Sequence, residues 1–523
     1  MASVRFPPKR LIVCCDGTWF NSDDGYNKPD FGKKSGALQV PSNVTRISRC
    51  FKRTCDDGRV QIVNYQSGIG TGSNTADTLI GGAFGSGISM RVKEAYSFLA
   101  ANYSDGDEVI LIGFSRGAFT ARSVAGMISK LGLLTRKGVE MFYPIFKDMQ
   151  NWKSPQGGKK YRDKFPDKPF SNKPHGDGAA EIYRARLEAL GLTRVRQNRG
   201  TGDLIKVKAI AYWDTVGSLG VPRIALLNKL HKLGISFRDE MYHFWDTNLS
   251  VHIEHAFQAL ALDETRSCFQ PAVWERLECN RGSTDLRQVW FAGSHNNIGG
   301  GELDQAMADI TLAWMMDQLA SVNIEFDEKC LERVVVKSMA YYTTDPATTK
   351  RPWARIPIYH DGSQVRPWAL GTIYRAHGLV WRLIGRSYRS PGLNHATNPR
   401  TGRPTTAWLE DTNERVHASV RVRLACGGTD VDSKTIWACP AFAGRWKLAR
   451  RSDIRLTEGA PESESESQSR SPWVWTYVGN EQPPETVLSE EPMGIFEEQL
   501  LELMAGRSVW EYAENASSVD EKH

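Results

Sequence analysis

A chain of 523 residues with 41% hydrophobic and 10% aromatic side chains can bury one large elaborated domain or two to three smaller ones, which excludes an intrinsically disordered chain. Sixty-six basic against 60 acidic residues leave a net charge of only +6, with the two signs interleaved. A dedicated nucleic-acid binder concentrates its basic residues on one face, so no nucleic acid is expected as a partner, while peripheral contact with an anionic membrane stays compatible with the charge.

The opening "MASVRFPPKRLIVCCDG" has a basic lead but too brief an apolar run for a signal peptide. No later stretch reaches the roughly 20 apolar residues of a membrane span. The 9 cysteines are scattered, odd in number and form no C-x-x-C pair, which indicates neither a disulfide framework nor a zinc site. A reduced, cytoplasmic, soluble protein is the expectation.

Five short apolar runs, at 10–18, 59–68, 108–117, 206–217 and 287–295, end in glycine or polar turn residues. Unbroken runs of this length fit strands buried on both faces of a parallel sheet. Between them fall helical stripes: Ile88, Val92, Ala95, Tyr96 and Leu99; then Phe119, Val124, Met127, Ile128 and Leu131; then Met307, Ile310, Ala313 and Trp314. Strand alternating with helix predicts an α/β fold with a mostly parallel sheet. The predicted catalytic domain spans 9–325, interrupted at 151–178 by a Lys-, Pro- and Gly-rich insertion expected to be mobile and basic, a candidate for membrane contact. Residues 326–457 form a C-terminal extension packed on that domain, although 345–457 shows no clear period. The low-complexity stretch 458–472 is expected to be a disordered linker, 473–513 a final folded segment, and 514–523 a disordered tail.

Ligands bind outside the carboxyl ends of strands in open parallel sheets. Asp16-Gly17-Thr18, Ser115, Asp214 and His295 stand at such ends. "ILIGFSRGAF" (110–119) sets Ser115 between Gly113 and Gly117 where a strand meets a helix, the G-x-S-x-G nucleophile elbow of α/β-hydrolases. A serine hydroxyl needs an imidazole to take its proton and a carboxylate to fix the imidazole tautomer, and Ser115, Asp214 and His295 supply these types in α/β-hydrolase order. Acyl transfer also needs an oxyanion hole: the N–H of Arg116 is its first donor, and Gly17 or Thr18 the second. Asp16 is either a turn-former or an orienting group. The glycine-rich stretch 67–87 lacks a phosphate-loop pattern and reads as a flexible active-site loop. His252 and His255 read as part of a helix, not as metal ligands, and no metal or cofactor is expected.

"GFSRGAFTAR", "WDTVGSLG", "WFAGSHNNIGGG" and "CDGTWFN", with "NVTRISR", "YQSGIGTG" and "HAFQALALDETR", resemble the α/β-hydrolase family, long labelled uncharacterised, that includes the type VI secretion phospholipase effectors. The resemblance covers about residues 10 to 320. "NERVHASVRVR" (413–423) is similar to the longer fungal-type members. The resemblance implies Ser115 as nucleophile and His295 as general base, acting on a small-molecule or lipid ester. Asp214 is the preferred acid because it closes a buried strand, and Asp263, taken to follow a helical run, is its rival. Bacterial relatives commonly carry an aspartate where this chain has Asn297, so here that position offers a neutral hydrogen-bond partner, and Asn297→Asp is expected to be tolerated. The competing reading is a non-catalytic scaffold that keeps the hydrolase fold and binds a ligand, membrane surface or partner.

Overall fold

Leu11 and Val13 face one apolar core and Ile12 and Cys14 another, so strand β1 (Arg10–Cys15) has no polar face to offer water. Such a strand is stable only inside a layered fold, with helices on both sides of the sheet. The structure, a computed structural model, describes residues 7–17, 26–27, 37–68, 83–152, 163–198, 202–215, 249–344, 353–355, 367–375, 386–397, 404–432, 434–454 and 471–516. Within them β1 is joined by β2 (Gln61–Gln66), β3 (Glu108–Phe114), β4 (Val207–Trp213), β5 (Ile253–Ala261), β6 (Asp285–Phe291), β7 (Glu414–His417), β8 (Trp446–Arg450), β9 (Trp473–Tyr477) and β10 (Val487–Glu491). The spatial order is β8-β9-β10-β7-β6-β5-β4-β3-β1-β2. Pairings from β2 through to β10 are parallel, and only β8–β9 and β9–β10 are antiparallel. This is an α/β fold with a large, mostly parallel sheet, compatible with an α/β-hydrolase.

Helix α1 (Asn43–Ser48) opens on the N-cap Ser42, whose side chain accepts from Thr45 N. The predicted stripes lie on α2 (Ala83–Asn102) and α3 (Arg116–Leu131), and their apolar positions are buried in the core shared with Leu11 and Val13. Helix α5 (Ala306–Ala320) packs on the opposite face with Ile12, Ile110 and Trp213. It is apolar nearly all round because it is buried nearly all round.

Several expectations need correction. The segment around His252 and His255 is not a helix: β5 occupies Ile253–Ala261 in the middle of the sheet. Its run of Ala, Phe and Leu is buried on both faces and so shows no two-residue alternation to mark it as a strand. His255 lies instead near Asp285, Nδ1 to Oδ2 at 3.4 Å, and His252 beside Ser250. Residues 83–87 of the glycine-rich stretch belong to α2, while 69–82 lie outside the described residues. In the insertion, 163–178 are tied down by the buried Lys173, which bridges Asp148 at 2.9 Å and Asp163 at 2.8 Å; residues 153–162 lie outside the description. The sheet runs on past residue 325, because β7 pairs with β6 and β10 with β7. Helix α6 (Arg507–Asn515) carries two residues of the expected tail, and Glu514 pairs with Arg421 at 2.8 Å. Most of the expected linker, 455–470, and the tail from 517 lie outside the described residues. Among the described residues no helix is long and apolar enough to cross a membrane.

Candidate functional site

The two glycines around Ser115 are steric requirements. A Cβ on Gly117 would lie 2.1 Å from the Cys15 carbonyl oxygen and 2.5 Å from that of Asp16, and one on Gly113 would lie 2.6 Å from the Ala118 backbone. Helix α3 can therefore start directly against the end of β1 only with glycine at both places. Ser115, between them, is held at φ 55° and ψ −119°, a conformation that costs a non-glycine residue on the order of 1–3 kcal/mol and persists only where its surroundings impose it. Asp214, one residue beyond β4, is held at φ 37°.

His295 opens α4 (His295–Gly299) just after β6. Its Nδ1 lies 2.6 Å from Asp214 Oδ2, and both residues are buried. The Phe114 ring sits 4.7 Å from the imidazole on one side and the Phe269 ring 4.9 Å away, edge-on. Gly299 makes the first contact attainable, since a Cβ there would fall 2.0 Å from the Phe114 ring. The residue preceding Ser115 is thus packed on the imidazole. Burial lowers the His295 pKa more than the Asp214 partner raises it, so the ring is neutral near pH 7. Burial opposes ionisation of Asp214, but Arg389 and then His295 outweigh it and hold its carboxyl below the usual range. With a carboxylate on Nδ1, the proton of the neutral ring belongs there and Nε2 keeps its lone pair.

Residues 9–318, more than half of the chain, match the family model described as T6SS, phospholipase effector Tle1-like, catalytic domain. The chain belongs to this Tle1-like family. An uncharacterised protein of Saccharomyces cerevisiae, YEL023C, is 29% identical over 157 residues, which are 28% of this chain and 21% of that protein. The chain therefore spans about a fifth of that relative. A crystal structure of an uncharacterised protein from Pseudomonas aeruginosa aligns over 66% of this chain and 51% of its own, at 14% identity and a TM-score of 0.33, too loose a likeness to carry weight.

The other candidate positions of this Tle1-like chain fall into place around the pair or away from it. Asp263, two residues past β5, does not meet His295: its carboxylate accepts from Gly293 N and Trp437 Nε1, each at 2.7 Å. It follows a strand, not the helical run expected. Asp16 is saturated within the fold, accepting from Gly17 N (2.7 Å), Ser42 Oγ (2.6 Å), Thr45 Oγ1 (2.7 Å) and Tyr65 Oη (2.7 Å). That makes it the knot joining β1, β2 and α1. It also corrects the oxyanion assignment, because the Gly17 N–H is committed to Asp16; Thr18 lies outside the described residues. Arg116 and Gly117 line a narrow cleft with Cys15, Asp16, Ser67 and Arg91. The cleft lies where strand order reverses about β1, the crevice that open α/β sheets use for ligands. Burial, then the nearby Arg266, pulls the Arg116 guanidinium down to about 10. Asn297 Oδ1 accepts from Ser294 N and Oγ, both at 3.1 Å, and from Tyr374 N at 2.9 Å, while Nδ2 donates to the Thr372 carbonyl at 2.8 Å.

Sequence reasoning missed three residues here. Arg389 Nη2 lies 3.0 Å and 3.3 Å from the two Asp214 oxygens. Glu264 is gripped by Arg266 through Nε (2.8 Å) and Nη2 (2.7 Å), and Arg266 lies 3.6 Å over the Phe269 ring that flanks His295. "ETR" directly after the candidate acid Asp263 was a visible signal for the second pair; Arg389, read alone, had none. Among the described residues, Cys55, Asp57 and Glu325 are near enough to share a metal ion, yet Arg10 and Lys52 already neutralise the two carboxylates.

Proposed function

We propose that the chain is a serine hydrolase that cleaves carboxylic esters of lipids, phospholipids foremost, through an acyl-enzyme. The observation that carries the reading is the 2.6 Å contact of His295 Nδ1 with Asp214, packed against the strained elbow of Ser115. Ser115 Oγ attacks the ester carbonyl carbon while His295 Nε2 takes its proton. The imidazolium so formed is stabilised by Asp214, which stays ionised. The Arg116 N–H, at the N-terminus of α3, faces the developing oxyanion, where helix polarity favours negative charge. Collapse of the tetrahedral intermediate expels the alcohol, which leaves with the proton from Nε2, and the acyl group stays on Ser115. A water, deprotonated by the same nitrogen, then attacks the acyl carbon, and the carboxylic acid departs as Oγ recovers its proton. Family membership supports a lipid as the acyl donor.

The test compares wild type with Ser115→Ala on p-nitrophenyl esters of increasing chain length and on phosphatidylcholine vesicles. Turnover and labelling by a fluorophosphonate probe should both vanish in the variant while its circular dichroism stays unchanged. Equal labelling of both proteins would overturn the assignment.

A further inference from the structure

Arg389 lies outside residues 9–318, the part of the chain matched by the family model. Its segment is pinned across the sheet. Ser387 N donates to the Thr265 carbonyl at 2.9 Å, Gly392 N to Glu414 Oε2 at 2.9 Å, and Trp446 Nε1 to the Pro391 carbonyl at 3.1 Å. The guanidinium at the centre of this strap is 1% exposed. Other buried arginines of the C-terminal region spread their donors: Arg423 Nη1 serves the carbonyls of Ala369 and Gly371 at 2.8 and 2.9 Å. Arg389 is different. Among the described residues its hydrogen bonds go to Asp214 alone, from one Nη2 across both carboxylate oxygens, and its Nε and Nη1 are buried without a partner.

We propose that Arg389 is a positioning residue for the Ser115 reaction: the C-terminal region inserts its guanidinium behind Asp214, fixing the carboxylate on His295 and making the working state of that buried pair electrically neutral. The proposal rests on the reading of Ser115 and His295 given above. The state that accepts the Ser115 proton has an ionised Asp214 and a neutral imidazole, a net charge of −1 at a depth where an uncompensated carboxylate takes up a proton instead. Arg389 brings that charge to zero. Among the described residues, the other charged groups around the pair are Glu264 and Arg266, which neutralise each other, and Arg116 beyond Arg266. None of them touches Asp214. Without Arg389, the pair holds its last proton more tightly, whichever partner carries it, so the pH at which the working state forms moves up. Among the described residues, Asp214 would also be held by only His295 and the Ala261 N–H, at 3.1 Å.

The experiment measures the rate of fluorophosphonate labelling from pH 5 to 9 on full-length wild type, Arg389→Met, Arg389→Lys and Ser115→Ala. Removing a charge this close moves an ionisation by roughly 1 to 3 pH units, so the acidic limb of Arg389→Met should move up by at least about one unit. Its rate at pH 7 should fall roughly 10- to 100-fold, by analogy with the loss of the outer partner of a metal-bound histidine. Arg389→Lys should return the limb to the wild-type position and lose less than about tenfold in rate, which a merely space-filling role does not predict. An unmoved limb in folded Arg389→Met overturns the proposal. Should that variant not fold, Arg389→Lys decides alone: a folded protein with a displaced limb, or slower than wild type by more than about 100-fold, overturns it. Persistent labelling of Ser115→Ala is a different failure, because it removes the serine reading on which the proposal rests.

Discussion

Asp214→Asn and Asp263→Asn are nearly isosteric changes at two buried strand ends, and they should separate cleanly. Asp214 meets His295 Nδ1 at 2.6 Å and the Arg389 guanidinium at 3.0 Å. An amide there no longer fixes the imidazole tautomer, and the loss in turnover should approach the ~10⁴-fold of a triad Asp→Asn change, about 5.4 kcal/mol of barrier. The same change leaves Arg389 buried without its counter-ion, which should cost a further ~3–5 kcal/mol of stability. Asp263 instead serves two neutral donors, Gly293 N and Trp437 Nε1. Its amide keeps one acceptor and turns an NH₂ toward the other donor, so Asp263→Asn should cost about 1–3 kcal/mol of stability and less than about tenfold in turnover, or 1.4 kcal/mol. Ester turnover at pH 7.5, corrected for folded fraction by urea unfolding, measures both. A double variant, Asp214→Asn with Arg389→Met, should regain most of the lost stability and none of the activity, because it removes the buried charge along with its partner. If folded Asp263→Asn is the slower enzyme, the roles given to the two carboxylates are wrong.

Gly117→Ala drives a methyl into the carbonyls of Cys15 and Asp16, both backbone, whereas Gly282→Ala meets no atom within 4 Å. The first should lower stability by roughly 1–3 kcal/mol or more and displace Ser115 enough to cut turnover; the second should do neither, and matching urea midpoints for the two would refute the steric account. Asn297→Asp is no longer expected to be tolerated, since it sets an acceptor 2.8 Å from the Thr372 carbonyl where an N–H had donated. Burial and that carbonyl raise the folded-state pKa of the new carboxyl, so its penalty, about 1–3 kcal/mol, should be small below the unfolded pKa near 3.9 and grow as pH rises through and above it; unfolding midpoints equal to wild type at pH 8 would rule this out.

The site was legible in sequence wherever local chain geometry dictates residue type. Gly113, Ser115 and Gly117 announce the elbow because only glycine fits within 2.6 Å of neighbouring backbone, and that constraint acts within a few residues. Asp214 directly follows β4 and His295 stands four positions past the end of β6, and both candidates were visible because each strand ends in an apolar run that stops at a polar turn. β5 was lost for the opposite reason, since a strand buried on both faces and rich in alanine carries no period to separate it from a helix. Roles that depend on a distant partner leave no local trace. Asn297 read only as a neutral hydrogen-bond partner, and its amide proves to hold Thr372 and Tyr374, more than seventy residues on.

Arg389 is the extreme of that second class. It stands 175 residues beyond Asp214, in a stretch without hydrophobic period, and an arginine read alone predicts surface. Arg421 and Arg423 mislead in the same way, each buried to within 1% of full enclosure, with Arg421 between the rings of Trp473 and Trp510. The signal available was their company: arginines interleaved with tryptophan in a segment too apolar to be a solvated loop. A buried guanidinium has to find a carboxylate or several carbonyls, and a C-terminal region whose described residues bury three, beside strand ends already rich in acids, is pairing them inward. On that argument the C-terminal region is part of the sheet and of the site, and a fragment ending near residue 318 would leave Asp214 without its cation.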